Sequence, residues 1–348
     1  MKTFLLKKIQ LLKIGFSKIF KLDDTPILSY LDNAESPLDY YFRNRGFITE
    51  WTIDNSDLTV TLPTVTPTIF SEGVYDCVVD WGDGTSNTLE SFDDVNITHT
   101  YLNEGTYRIE IKGYFTAWSM DSLSQTNKNK LRKVIYWGGN PFHGFNYLEK
   151  AFNNCNNLTD LSSSYIKKYN DGCLSFSYFC NNTSIKIIKC PLFSHHINAI
   201  SFDYCFSGIS NLEKVCNNFF NKNINAVTFN NAFSNCIHLK FIPNELFYYN
   251  RKANDFSFTF YNTPSLLLYK NLFYYDFDQS TRFNEITDIT FESFIERNSF
   301  SLIKTSNAID LWNCTFFGTI NKSNAFAGDG NILAFDNYDS IPNDWKGL

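Results

Sequence analysis

The chain has 348 residues, of which 43% are hydrophobic, and this is enough to bury a sizeable core and to form two domains. A peptide hormone and a disordered tail are therefore excluded. The net charge of −6 hides an asymmetry, because positions 1–22 contain six lysines and no acid, which leaves −12 for the rest. We do not expect such an acidic body to bind nucleic acid through general electrostatics.

The N-terminal segment, residues 1–44, carries apolar side chains at alternating steps of four and three, with lysines on the opposite face. This spacing predicts a short helix with one apolar side, followed by a linker. The helix could fold back on the body, anchor the chain in an oligomer or a larger assembly, or lie on an anionic membrane. The anchoring residues are Leu5, Ile9, Leu12, Phe16 and Ile19.

Lysines interrupt this N-terminal segment every few residues, so it has no continuous apolar stretch of the kind that a secretory signal peptide needs. No later stretch is long and apolar enough to predict a transmembrane helix. We therefore expect neither a signal peptide nor a membrane span.

The pattern changes to strict alternation over residues 45–118, which predicts short strands with one buried face. Between two such strands lies Trp81-Gly82-Asp83-Gly84-Thr85, in which Asp-Gly is a strong hairpin signal. Asp80 and Asp83 could also be interpreted as calcium ligands or catalytic carboxylates, but a turn alone explains them better.

This turn, with His99-Thr100-Tyr101 and Gly105-Thr106-Tyr107 after it, resembles the signature of the polycystic-kidney-disease (PKD) type of immunoglobulin-like domain. The resemblance extends over nearly all of the alternating region. It implies a PKD-like β-sandwich at 45–118 that acts as a spacer or interaction domain without catalysis.

Residues 128–340 contain an internal repeat. Phenylalanines recur at a constant interval, and aliphatic residues follow each of them after six positions. Chance does not explain this recurrence, and a period of about 27 residues predicts about eight stacked units, each with a short strand and a short helix or turn. Two further aromatic rows are expected, one through Phe202, Phe229 and Phe256. The anchor residues of the first row are Phe152, Phe179, Phe206, Phe233 and Phe260.

These units resemble the BspA-like leucine-rich-repeat family, and more closely its surface-protein repeat, whose period is nearly the same. The resemblance implies a leucine-rich-repeat-type parallel solenoid that serves adhesion or recognition. The expected fold class is thus mainly β with short helices: a PKD-like β-sandwich, then a parallel solenoid at 128–340, and a C-terminal cap at 341–348.

The nine cysteines are odd in number and form no Cys-x-x-Cys pair, so we expect reduced, buried thiols and no metal site. Cys155 and Cys236 follow the repeat, and the adjacent His195 and His196 have no third ligand spaced near them. The common hydrolase, nucleotide-binding and zinc-protease motifs are absent from the sequence. We therefore predict no catalytic residues, no cofactor and no enzyme.

Tyrosines that follow a Leu-Phe pair in two units are the one positive signal for a binding site, because amphipathic aromatic side chains often contact carbohydrate or protein. They could also cap the aromatic rows of neighbouring units. The candidate binding residues are Tyr248, Tyr249, Tyr274 and Tyr275.

Taken together, the sequence predicts a structural or recognition protein on an outer surface, such as a bacteriophage fibre, decoration or tail protein, whose partner is a protein or glycan receptor. The alternatives are a bacterial cell-surface adhesin, an intracellular leucine-rich-repeat adaptor, and a glycan hydrolase, which would need two carboxylates about 5–10 Å apart in a groove.

Overall fold

The structure is a computed structural model that describes residues 44–66, 73–189, 191–268, 271–274, 281–302 and 305–348. The predicted N-terminal helix, with its anchoring residues from Leu5 to Ile19, lies outside the described residues. Asn44–Leu348 form one compact unit.

A six-stranded sheet opens this unit, in the spatial order β4-β3-β6-β1-β7-β8. Four of its five neighbouring pairs are antiparallel, and only β7 and β8 run parallel. Strands β2 and β5 form a separate antiparallel pair. The strands are β1 Phe47–Ile53, β2 Thr59–Thr61, β3 Tyr75–Asp80, β4 Ser86–Leu89, β5 Thr98–Thr100, β6 Gly105–Phe115, β7 Leu131–Trp137 and β8 Asp160–Leu161.

The predicted hairpin between β3 and β4 is confirmed. The backbone N–H of Trp81 donates to Thr85 O at 3.1 Å, and Asp83 Oδ1 accepts from the N–H of Thr85 at 2.9 Å. Positive φ falls on Gly82 and Gly84, where a missing Cβ removes the strain, and not on Asp83. The two acids of this segment therefore serve the turn, since Asp80 Oδ1 likewise accepts from the N–H of Gly82.

The sheet joins the repeats through its central strand, because β1 pairs with β6 on one side and with β7 on the other. Phe47 on β1 contacts the rings of Trp118 at 5.1 Å and Trp137 at 5.7 Å. Trp137 in turn contacts Phe152, the first anchor of the repeats, at 6.0 Å. The sheet and the repeats thus share one continuous core.

The remaining elements are short. Parallel pairs form between β9 and β10 and between β11 and β12. Single-turn 3-10 helices lie at Val95–Ile97, Leu311–Asn313 and Tyr338–Ser340. The other elements are α1 Gln125–Lys128, β9 Ile187–Ile188, β10 Lys214–Val215, β11 Asp288–Thr290, β12 Thr319–Asn321, α2 Asp329–Ala334 and α3 Asn343–Lys346.

The predicted aromatic rows are present in the core of the repeats. In the second row, Phe202 and Phe229 stack at 5.5 Å with an interplanar angle of 8°, and Phe229 and Phe256 at 5.8 Å with 12°. In the third row, which runs through the second residue of a Leu-Phe or Phe-Phe pair in each repeat, Phe193 and Phe220 stack at 6.3 Å with 2°. All these rings are buried, so the high phenylalanine content is accounted for by the core.

The spacing of the anchors differs from the constant interval that the sequence predicts. Hydrogen bonds run from Tyr178 N to Asp203 O and from Cys180 N to Cys205 O. The sequence separation of donor and acceptor is one residue shorter here than in the next repeat, where Tyr204 N donates to Asn230 O. Cys180 therefore holds the place that Phe206 holds in the next repeat, and Phe179 lies one position early. The rings report the same shift: Phe179 meets Phe206 edge-on at 80°, whereas Phe206 and Phe233 stack at 14°.

The predicted fold class, a PKD-like β-sandwich followed by a parallel leucine-rich-repeat solenoid, is wrong. The described chain is mainly β with few short helices, but its large sheet is mixed and mostly antiparallel, and it includes β7 from beyond residue 118. In the described repeats the parallel pairs span only two or three residues or single bridges.

The reason lies in the backbone of the repeats. Asparagines at equivalent places adopt positive φ, including Asn154, Asn182, Asn235 and Asn262 at 53° to 60°. This left-handed conformation, which asparagine tolerates better than most residues, ends the extended backbone within each repeat. Successive repeats therefore bond mainly turn to turn, as from Asn235 N to Tyr261 O at 2.8 Å.

Candidate functional site

Two of the four candidate tyrosines lie next to each other at the surface. Tyr249 is 45% exposed, and its ring meets that of Tyr248 edge-on at 5.0 Å. The guanidinium of Arg251 lies 5.6 Å from the centre of the Tyr248 ring. These residues form an aromatic and basic surface, and their role in binding stays a prediction.

The other two tyrosines have different outcomes. Tyr274 is 1% exposed and so cannot contribute to a surface, and its hydroxyl donates to Asp310 Oδ1 at 2.7 Å. Burial raises the pKa of this hydroxyl well above its ordinary value. Tyr275 lies outside the described residues. A Leu-Phe-Tyr-Tyr pattern therefore does not fix where the tyrosine points.

A row of polar side chains runs across consecutive repeats at a place that the sequence did not single out. Its members are joined by parallel bridges between neighbouring repeats. Each member is followed by a buried phenylalanine and then by a second polar residue. We call these two sets together the polar row; they are Ser175, Ser201, Thr228, Asp255 and Thr290, with Ser177, Asp203, Asn230, Ser257 and Glu292.

Hydrogen bonds link the polar row from one repeat to the next. Ser177 Oγ lies 2.9 Å from Ser201 Oγ, and Ser257 Oγ lies 3.0 Å from Thr290 Oγ1. Between these contacts, the Thr228 hydroxyl donates to Asp203. Apart from Ser257, which is buried, the side chains of the row are half-buried, so the row both connects the repeats and forms part of their surface.

The carboxyl of Asp203, a member of the polar row, has a raised pKa. Burial raises the pKa of this carboxyl above its ordinary value of 3.8, against hydrogen bonds from Thr228 and Ser201 that lower it, and the charge of Asp255 raises it further. Its Oδ1 accepts from the N–H of Asn230 at 3.1 Å. A carboxyl so placed is easier to protonate than an exposed aspartate.

A pair of tyrosines flanks the polar row. The rings of Tyr178 and Tyr204 stack at 4.6 Å with an interplanar angle of 2°. Both residues have positive φ, at 55° and 53°, and both are partly exposed. Asn231 and Phe258 continue this position in the next two repeats, also with positive φ. The pair therefore lies at the surface of the repeats, next to Asp203 in the chain.

The cysteines depart in one respect from the expected set of reduced thiols. Cys216 is disulfide-bonded, the seven other described cysteines are in the thiol form, and Cys190 lies outside the described residues. Burial raises the pKa of Cys155 and Cys236 to about 12. Thiols with such high pKa values are poor nucleophiles at neutral pH, which fits a packing role.

The two adjacent histidines point to different environments. His196 is fully buried and accepts from the N–H of Cys173 at its Nδ1, whereas His195 is exposed and its ring packs on Tyr165 at 3.8 Å. Within the described ranges there is no group of three or more His, Cys, Asp or Glu side chains that could hold a metal ion. Of the helices in the described part of the chain, none has the length and apolar character needed to span a bilayer.

No family model, curated protein or solved structure matches this chain. The resemblances to PKD-type and BspA-like sequences therefore rest on the motifs alone and stay predictions.

The polar row could have been found in the sequence. A polar residue precedes and follows each phenylalanine of the second aromatic row, as in Ser175-Phe176-Ser177 and Thr228-Phe229-Asn230. This alternation is typical of a short extended segment with one buried face. The Tyr178 and Tyr204 pair gave no such signal, because tyrosine rarely adopts positive φ.

Proposed function

We propose that this chain is a non-catalytic recognition protein that is displayed on an outer surface and binds a glycan through the polar row and the Tyr178–Tyr204 pair. The observation that carries the proposal is the repetition of this chemistry: hydroxyl, carboxyl and amide groups return at the same place in consecutive repeats. Paired segments lie about 4.8 Å apart, so donors and acceptors recur at that interval. Such a surface suits a polymer that repeats its own hydroxyl groups.

The tyrosine pair supports a polar ligand of this type. A tyrosine offers an apolar ring and a hydroxyl that both donates and accepts, and this combination is common in recognition surfaces. Tyr178 and Tyr204 are held parallel by stacking, so little side-chain entropy would be lost when a ligand binds. A protein receptor is the second ligand class, because the same groups also recur in protein interfaces.

For the setting, we propose a bacteriophage particle, with the chain as a fibre, decoration or tail protein; a bacterial cell surface is the alternative. The disulfide at Cys216 favours a displayed setting over an intracellular adaptor, because disulfides persist mainly in oxidising environments. Mass spectrometry of purified particles against cell fractions tests this. Recovery of the protein only in the cytosolic fraction of host cells would contradict it.

Binding is tested by exposing the full chain to an array of bacterial surface oligosaccharides and measuring the affinity of any hit by calorimetry. The double variant Tyr178→Ala/Tyr204→Ala should weaken binding by about tenfold or more, and Tyr249→Ala is the matched control. If no glycan binds, glycan recognition is wrong. If Tyr249→Ala loses binding while the double variant keeps it, the ligand site lies at the tyrosines predicted from the sequence instead.

A further inference from the structure

Two rows of outward-pointing side chains cross four consecutive repeats beside the polar row. In the first, Ile197 and Ile224 lie between an acidic and a basic residue. In the second, three aliphatic residues precede Asn254. We call these eight residues the dipolar patch: Asp171, Ile197, Ile224 and Arg251 in the first row, and Leu174, Ile200, Val227 and Asn254 in the second.

Backbone hydrogen bonds fix the order of the second row. Ile200 N donates to Leu174 O at 2.8 Å, and Val227 N donates to Ile200 O at 2.8 Å. Asn254 N then donates to Val227 O at 2.9 Å. Each residue of the first row lies three positions before its partner in the second, so both rows advance together, one repeat at a time.

The aliphatic side chains of the patch are exposed and lie next to one another. The exposed fraction ranges from 38% at Val227 to 54% at Leu174. Single exposed apolar residues are common, but a contiguous group of five across three repeats marks an interaction surface on a folded protein. The core of each repeat is filled by its phenylalanine rows, so these aliphatic side chains do not contribute to it.

The charges of the patch lie at opposite ends. Asp171 and Arg251 are both exposed and three repeats apart, which is about 14 Å at the usual spacing of paired segments. Lys252, also exposed, adds to the basic end, where its Nζ contacts Asn225 Oδ1 at 2.7 Å. Along the first row of the patch, the side chains are therefore acidic, apolar, apolar and basic in that order.

We propose that the dipolar patch binds a second copy of this chain in an antiparallel, two-fold symmetric contact. A two-fold axis that crosses the repeats midway between Ile197 and Ile224 places each of these residues against the other in the partner. The same axis sets Asp171 of each copy against Arg251 of the other. The first row is thus complementary to itself, as a symmetric dimer requires, and in the second row Ile200 of each copy meets Val227 of the other.

The size of the patch indicates a reversible dimer. A stable interface buries about 800 Å² on each partner, contributed by roughly 20–30 residues. The eight residues of the dipolar patch would form only the centre of such a contact. We therefore expect association that depends on protein concentration, with the ion pairs at the two ends setting the orientation.

Sedimentation equilibrium of the full chain across a wide range of concentrations tests the proposal. Wild type should dimerise, and Ile200→Asp/Ile224→Asp should be monomeric. Ile187→Asp is the matched control, because Ile187 is 45% exposed in a different row of the repeats. A wild-type chain that stays monomeric at all concentrations, or a control that dissociates as readily as the patch variant, would overturn the proposal.

Charge reversal tests the antiparallel arrangement itself. Asp171→Lys and Arg251→Glu alone should each weaken dimerisation by roughly tenfold, since each sets like charges against one another. The double variant should restore it, because the pairs re-form with exchanged signs. Failure of the double variant to recover would contradict the contact. Both measurements are made without glycan, so neither result depends on glycan binding.

Discussion

The side-chain amide of Asn223 donates to the backbone carbonyl oxygen of His196 at 2.9 Å, and these two residues hold the same place in consecutive repeats. Each also donates to the carbonyl of the preceding unit: His196 Nε2 to Ile166 O at 3.2 Å and Asn223 to Phe193 O at 3.2 Å. Asn250 and Arg282 continue the series with the same pattern of acceptors. A buried polar ladder therefore ties successive repeats together.

His196 should make the stability of the protein depend on pH. Burial lowers its pKa from 6.5 to about 3, so the folded chain holds a neutral imidazole where the unfolded chain binds a proton. The stabilisation from the neutral imidazole is fully present above pH 6.5. As pH falls from 6.5 towards 3, the free energy of unfolding decreases by about 1.4 kcal/mol per pH unit at most. Urea denaturation of wild type and His196→Asn at pH 7 and pH 5 measures it.

In this experiment His196→Asn should lose less stability on acidification than wild type. Asparagine is the residue that the next two repeats use at this place, so the ladder can be kept without a titrating group. His196→Ala is the comparison, and it should be destabilised at both pH values because the N–H of Cys173 loses its acceptor. Equal acid sensitivity in wild type and His196→Asn would show that other groups dominate.

Truncation of one anchor should show how much the aromatic core contributes. Phe206 is fully buried and its ring contacts Phe179, Phe219 and Phe233. Phe206→Ala should lower the free energy of unfolding by about 3–5 kcal/mol, through lost burial and the cavity left behind. Phe317 is 72% exposed, and Phe317→Ala should change it by less than about 0.5 kcal/mol. Chemical denaturation compares the two variants, and a small effect at Phe206 would mean that the repeats tolerate a gap.

Asp203 should make stability depend on pH in the opposite sense to an acid that is held in an ion pair. Its pKa is raised by burial, so the contribution is present below the ordinary value of 3.8 and is lost as pH rises through the folded pKa. Asp203→Asn should therefore be more stable than wild type at pH 7, with the difference shrinking in acid. Asn230 shows that the next repeat holds an asparagine at this place. Thermal melts at several pH values test this, and a less stable Asp203→Asn at neutral pH would contradict it.

Lys130 should control the acidity of Asp57 near the sheet. The Lys130 side chain is 4% exposed, and its Nζ lies 2.6 Å from Asp57 Oδ2. The hydrogen bond from Lys130 is the main cause that lowers the pKa of Asp57 from 3.8 to about 2. The stability from this pair is present above pH 3.8 and is lost as pH falls through 2. In Lys130→Met, an NMR titration should show the Asp57 pKa moving back towards 3.8; an unchanged value would assign the shift to Thr59.

Part of the candidate site could be predicted from the sequence and part could not. The polar row follows from alternation around Phe202 and Phe229, because burial of one side chain turns its neighbours outward. The partial exposure of Tyr248 and the burial of Tyr274 were not separable, since both directly follow a Leu-Phe pair. What differs is a contact with Asp310, which lies far along the chain from Tyr274.

The sequence by itself determined which side chains enter the core, because the hydrophobic effect acts on each phenylalanine largely through its own apolar area. Only the tertiary structure decided how the chain connects them. Strand β7 pairs with β1, although β3, β4 and β6 of the same sheet lie between them in the sequence. Cys180, and not Phe179, takes the anchor place in its repeat. These choices depend on backbone hydrogen bonds between distant segments and on left-handed turns, which residue type constrains only weakly.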